Sequence, residues 1–211
     1  MQTEQESIAD LEIQWALGGH PLDLLTGCDW VCPSGGVPLT LPLVVEAVRQ
    51  GIPLTNDSQI FLEAAPCRVI GITGSAGKTT TTSLVGRMAA AAVGVERSWV
   101  GGNIGFPLIA EIHRMGPDHL AVMELSSFQL EIMTRSPQVA AVLNVTPNHL
   151  DRHGTLEAYA RAKQAILDHQ DEHDIAILDQ TVADWRGHLR TLHGAVHDQN
   201  HHAVGVGEDA R

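Results

Sequence analysis

The heptapeptide Gly74-Ser75-Ala76-Gly77-Lys78-Thr79-Thr80 directly follows the apolar run Val69-Ile70-Gly71-Ile72. A β-branched run that ends in glycines and Lys-Thr-Thr, then passes into a helix-forming stretch, has the pattern of a phosphate cradle. Its glycines let successive backbone N–H groups converge on phosphate oxygens, and the helix N-terminus behind them adds partial positive charge. In such a cradle Lys78 reaches the terminal phosphates and the Thr79 hydroxyl sits on Mg²⁺. The spacing is G-x-x-G-K-T rather than G-x-x-x-x-G-K-[ST], because Ile72 stands where the longer pattern has its first glycine. A chance glycine turn is the plain alternative.

Further segments carry groups that can act beside a phosphate. Leu120-Ala121-Val122-Met123 reads as a buried strand ending in Glu124. A carboxylate at the carboxyl end of a parallel strand lies where open α/β sheets bind ligands, and it can ligate the Mg²⁺ held by Thr79. The alternative is a glutamate held by a helix dipole. Ala141-Val142-Leu143-Asn144-Val145 is another strand that runs into a polar turn. His149 in that turn is a candidate second metal ligand or an ordinary loop histidine. Lys163, in Tyr159-Ala160-Arg161-Ala162-Lys163, reads by itself as a solvated helix lysine.

Short apolar runs alternating with helical patterns must position these groups. Strands are expected at 12–17, 30–32, 52–54, 68–73, 119–124, 140–145 and 175–178, and helices at 42–50, 58–64, 78–93, 107–113, 156–169 and 182–192. Near-continuous Val/Ile/Leu strands between helices predict an α/β fold with a mostly parallel, helix-covered sheet. Glu63-Ala64-Ala65-Pro66-Cys67 reads as a linker, which divides the chain near residue 66. Val204-Gly205-Val206-Gly207 reads as a strand cut at its edge.

With 211 residues, 44% of them apolar, the chain can bury a core of one large or two small domains. The net charge of −12 disfavours nucleic-acid binding through phosphate neutralisation. The N-terminus lacks the basic-then-apolar pattern of a secretory signal, and no apolar run approaches the roughly 20 residues of a membrane span. Three cysteines, with Cys28 and Cys32 lacking a second matching pair, suit a reducing compartment and exclude a standard zinc site. The histidines at 188, 193, 197, 201 and 202 fit no ligand spacing and read as solvated surface.

Taken in order, the Gly-Ser-Ala-Gly-Lys-Thr-Thr loop, Gly101-Gly102-Asn103-Ile104-Gly105, Met123-Glu124-Leu125-Ser126-Ser127-Phe128-Gln129-Leu130, Leu143-Asn144-Val145-Thr146 with His149-Leu150-Asp151-Arg152-His153, and Tyr159 to Lys163 resemble the Mur ligases. The Glu-Leu-Ser-Ser-Phe-Gln-Leu stretch is similar to their D-glutamate-adding branch. The resemblance implies a partial Rossmann-like, UDP-substrate-binding domain at 1–66 and a P-loop, doubly wound ATP-binding domain at 67–211. It implies an amide ligase that phosphorylates UDP-N-acetylmuramoyl-L-alanine with ATP and adds D-glutamate, as a cytoplasmic monomer without nucleic-acid or membrane partners. Gly74, Ser75, Ala76, Gly77, Lys78, Thr79 and Thr80 would bind ATP. Lys78, Glu124, His149 and Lys163 would form the catalytic set, with Thr79, Glu124, His149 and a carbamylated Lys163 holding two Mg²⁺ ions. Ser34, Gly35, Gly36, Asn103, Ser126 and Gln129 would contact the UDP substrate.

Ala76, Asn148 and Gly35 stand where the family pattern has Asn, Asp and Pro. The pattern also implies an opening Gly-rich turn and a C-terminal amino-acid-binding domain outside these 211 residues, so the chain alone is expected to be inactive. A non-catalytic nucleotide- or UDP-sugar-binding remnant, or another ligase such as a folylpolyglutamate synthase, stays open.

Overall fold

A computed structural model describes residues 11–179, so the expected helix at 182–192, the strand-like end and the histidine-rich segment lie outside the described residues. Two compact units divide the described chain, residues 11–31 with 39–54 and residues 32–38 with 55–179.

In the first unit, helix α1 (Pro42–Arg49) opens with proline at its first position, where a missing N–H costs nothing. It buries Leu43 and Ala47 with Leu25, against Leu24, Val31, Leu41, Ile52 and Leu54. The strands expected at 30–32 and 52–54 meet as a single parallel bridge between Val31 and Leu54. The strand expected at 12–17 does not form. Trp15 and Leu17 stay 62% and 88% exposed, and no strand among the described residues supplies the ladder that an extended segment needs.

The second unit begins its regular structure with α2 (Asp57–Ala64), whose N-cap Asn56 accepts from the Gln59 N–H. There follow β1 (Arg68–Thr73), α3 (Lys78–Val93), β2 (Ser98–Gly102), β3 (Leu120–Glu124), α4 (Ser127–Leu130), β4 (Val139–Val142), α5 (Leu150–His153), α6 (Leu156–Asp168) and β5 (Ile175–Leu178). All five strands are parallel, in the order β2-β3-β1-β4-β5. The α/β, doubly wound expectation is therefore met. Strand β2 was not foreseen, because Ser98-Trp99-Val100-Gly101-Gly102 has only two strong strand formers. The stretch expected as a helix at 107–113 is a 3₁₀ segment, Leu108–Arg114.

One face of the sheet packs Ile72, Val122 and Ala141 under Ala89 of α3, and Gly86 lets α3 approach β2. A Cβ on Gly86 would lie 2.4 Å from Val100 Cγ2. The other face holds the larger core, including Phe61 of α2, Val69, Met123, Val142 and Ile166 of α6. Although the division was expected near residue 66, α2 belongs with the sheet, because Phe61 is fully buried in that core. The chain runs from β1 to β2 and β3 on one side, then to β4 and β5 on the other. The carboxyl end of β1 is thus the switch point, where open α/β sheets leave a crevice.

Candidate active site

The glycine-rich loop leaves β1 at this switch point and enters α3 through Gly77, whose φ of 79° is a left-handed conformation that side chains rarely adopt. Three contacts from the end of β4 hold the loop. Asn144 O accepts from the Ser75 N–H at 2.9 Å, Asn144 Oδ1 accepts from the Ala76 N–H at 2.9 Å, and Asn144 Nδ2 donates to Ala76 O at 3.1 Å. Ser75 Oγ donates to Thr146 O and accepts from the Thr146 N–H, each at 2.9 Å. Ala76 leaves the loop no side-chain hydrogen-bonding group of its own at that position, and Asn144 supplies the pinning from outside it.

Glu124 ends β3 and is only 2% exposed. Its Oε2 accepts from Thr79 Oγ1 and its Oε1 from Asn103 Nδ2, both at 2.9 Å. No described cation lies within ion-pair distance of it, so a buried carboxylate rests on two neutral donors. Such a group gains most from a bound cation, and a carboxylate beside a hydroxyl is a hard oxygen set suited to Mg²⁺. No three His, Cys, Asp or Glu side chains among the described residues cluster as a metal site. A cation here would therefore rely on the hydroxyl, on waters and on ligand phosphates, as Mg²⁺ commonly does.

Lys163 is not solvated. The α6 pattern buries Tyr159, Ala160, Ala162, Lys163, Ile166 and Leu167 along one helical face. Lys163 is 2% exposed, and its Nζ donates to Gly74 O at 2.9 Å and to Thr73 Oγ1 at 3.4 Å, with the Tyr159 ring centroid 4.7 Å away. Burial, reinforced by the nearby Lys78 charge and opposed by Glu124, lowers its pKa to about 7. Lys78 Nζ donates to the same Gly74 carbonyl at 3.1 Å. Two amines therefore converge on one loop oxygen beside one carboxylate.

His149 adopts φ 52°, with the Asn148 side chain accepting from its N–H at 2.9 Å. Its ring lies 5.0 Å from Phe128 and 6.4 Å from Tyr159, centroid to centroid. Ser126 and Gln129 form a capping box on α4, and Gln129 Nε2 donates to the buried Ser58 hydroxyl at 2.8 Å. Their polar atoms are thus engaged within the fold, as is the Nδ2 of the otherwise exposed Asn103 on Glu124, whereas the 34–36 turn is exposed. Thr80, on the first turn of α3, is exposed.

The sequence reading did not single out Asn144 and Thr146, which fix the loop, or Phe128, Arg152 and His153, which pack around α4 and α5. Tyr159 entered it only as the start of the stretch that carries Lys163, with no role of its own, and its hydroxyl donates to Ser75 Oγ at 3.1 Å. A polar residue just past the end of the strand beside β1 was the available signal for Asn144.

This is a parallel α/β domain with a glycine-rich loop at its switch point and a buried carboxylate on the adjoining strand. Residues 72–209 match the Mur ligase middle domain. Over 177 residues, 83% of this chain, it is 45% identical to UDP-N-acetylmuramoylalanine--D-glutamate ligase of Pelotomaculum thermopropionicum. It is 43% identical over 85% of its length to the ligase of the same name from Koribacter versatilis. MurF from Acinetobacter baumannii is structurally similar at 25% identity and a TM-score of 0.51, over 69% of this chain and 32% of that one. The chain belongs to the Mur ligase family. It spans 38% and 39% of the length of the two curated relatives.

Proposed function

We propose that this chain is part of an ATP-dependent amide ligase that adds D-glutamate to UDP-N-acetylmuramoyl-L-alanine in the synthesis of peptidoglycan precursors in the cytoplasm. The observation that carries the reading is the Thr79–Glu124–Asn103 arrangement beside the glycine-rich loop. The identity to ligases of that name supports the choice of amino acid.

In this reading the 74–80 loop binds the ATP phosphates through its N–H groups, and Lys78 moves from the Gly74 carbonyl to the terminal phosphate. Thr79 and Glu124 would hold one Mg²⁺, and His149 and a carbamylated Lys163 would hold a second; the ions would supply charge neutralisation for the phosphoryl group. The L-alanine carboxylate attacks the γ-phosphate, releasing ADP and leaving an acyl phosphate. The amine of D-glutamate then attacks that carbonyl, loses a proton and displaces inorganic phosphate. Phosphorylation is needed because a bare carboxylate has no adequate leaving group. Asn103, Ser126, Gln129 and the Ser34-Gly35-Gly36 turn contact the UDP substrate, Ser126 and Gln129 by exchanging bonds they now make within the fold.

Lys163 suits carbamylation. With its pKa lowered to about 7, a large fraction is the neutral amine that can add to CO₂ at physiological pH. The product, after loss of a proton, is an anion with two oxygens and a hard ligand for Mg²⁺.

The test gives UDP-N-acetylmuramoyl-L-alanine, ATP and Mg²⁺, with D-glutamate, L-glutamate or L-lysine, to the complete reading frame that contains these residues and to the 211-residue chain. A D-glutamate adduct seen by mass supports the reading. An L-lysine adduct points to another ligase of the superfamily. No adduct from the complete reading frame, folded and binding ATP, overturns the reading in favour of a binding remnant.

A further inference from the structure

Arg152 lies on α5, three residues after His149, and none of the proposed chemistry uses it. Its guanidinium carbon sits 5.0 Å above the Phe128 ring, and one of its nitrogens donates to the Val37 carbonyl at 2.9 Å. The same nitrogen lies 3.7 Å from Glu131 Oε2, and the Arg152 side chain is only 18% exposed. Phe128 also stacks with His153 at 13° and 5.6 Å, and His153 Nε2 meets Ser127 Oγ at 3.0 Å.

Val37 closes the turn that begins at Ser34, its N–H donating to Ser34 O at 2.9 Å. Residues 34–36 are exposed and include two consecutive glycines, the composition that loses most order when unsupported. A Cβ on Gly35 would reach only as close as 3.9 Å to Phe128 Cβ, so the turn rests beside that ring without being locked by it. The directional bond from the rest of the unit to this turn is therefore the one from Arg152. A charge-assisted bond to a carbonyl, with the guanidinium plane over a ring, fixes both distance and orientation.

We infer that Arg152 is a positioning residue. It holds the 34–37 turn in the conformation that receives the UDP-substrate, and ties that turn to the helix that His149 precedes. This inference rests on the proposed role of residues 34–36 as substrate contacts. Pre-ordering a glycine-rich turn removes an entropy cost from binding, so the effect falls on substrate affinity and not on ATP affinity.

The experiment uses the complete reading frame with Arg152→Met, Arg152→Lys and Phe128→Leu. It measures dissociation constants for UDP-N-acetylmuramoyl-L-alanine and for ATP, with amide hydrogen exchange across residues 34–37. Arg152→Met is expected to speed exchange of the Val37 amide and to weaken the UDP compound about tenfold, the equivalent of one charge-assisted hydrogen bond, while ATP affinity holds. Arg152→Lys recovers part of the loss, since an ammonium keeps the donor but not the planar stack. Phe128→Leu gives an intermediate loss by removing the platform. If Arg152→Met leaves both exchange and UDP-compound affinity unchanged, the inference falls alone. If it weakens ATP and the UDP compound equally, the role is global and the inference also falls. A wild type that binds ATP but not the UDP compound removes the substrate reading of the turn, and this inference with it.

Discussion

Replacing Lys163 by methionine should change how stability depends on pH more than stability itself. Burial lowers the folded-state pKa of Lys163 from the ordinary 10.5 to about 7. Between those values the unfolded chain binds a proton that the folded chain does not. Stability therefore rises with pH through that window and is lowest below it. A displacement of about three and a half pH units at 1.36 kcal/mol each corresponds to about 5 kcal/mol over the whole window. Integrated from pH 7 to 8.5 alone, the gain is on the order of 1–2 kcal/mol. Methionine has similar length and no proton to exchange, so Lys163→Met should lose that increment while keeping the packing against Tyr159. The assay is urea unfolding of both proteins at several pH values between 6.5 and 9, in buffers stripped of CO₂ so that the amine stays unmodified. Subtracting one profile from the other cancels titrating groups not coupled to Lys163, including the buried Cys67, whose pKa burial also raises, and leaves Lys163 with the coupled Lys78 and Glu124. Parallel profiles would show that Lys163 keeps its charge in the folded protein. The argument for a neutral, CO₂-reactive amine would then be refuted.

Lys78→Met removes the positive charge that helps lower the Lys163 pKa, so that pKa should rise, which NMR of the lysine side chains can follow. The same variant should lose ATP binding while retaining affinity for the UDP compound, as read by calorimetry. Asn144→Ala deletes two side-chain bonds to Ala76 and should destabilise the chain by about 1–2 kcal/mol in urea while weakening nucleotide binding. Glu124→Gln keeps the shape of the buried group but removes its charge. Mg²⁺-dependent nucleotide binding should fall at least tenfold, while binding without metal changes little. Equal loss with and without Mg²⁺ would contradict the metal assignment.

What the sequence disclosed was set by how local each signal is. The glycine-rich loop was legible because its cause lies within seven consecutive residues, and β3 was legible because its apolar run stops at a single carboxylate. Lys163 was misread in isolation. The apolar residues at 159, 160, 162, 166 and 167 already mark the buried face of α6, and position 163 falls on it. Strand β2 was hidden because its place in the sheet is granted by β3, whose register pairs Val100 with Val122 and Gly102 with Glu124. The 12–17 segment erred in the opposite direction, with strand-like composition but no partner. The Asn144 and Arg152 contacts join residues 68 and 115 positions apart, and no window of sequence could show them.

The charges at the switch point suit the phosphate site proposed there. Lys78 and Lys163 share one carbonyl, and Glu124, buried nearby, has only a hydroxyl and an amide as partners. None of the three groups is ion-paired to another: the two amines share a neutral carbonyl and the carboxylate has only neutral donors. A cation beside Glu124 would match its charge, and a phosphate over the loop would match Lys78. Binding the two together neutralises both mismatches, so nucleotide and Mg²⁺ should reinforce each other's affinity. A polyphosphate that carries its own metal offers what the site lacks, and a lone anion or a lone cation offers half of it.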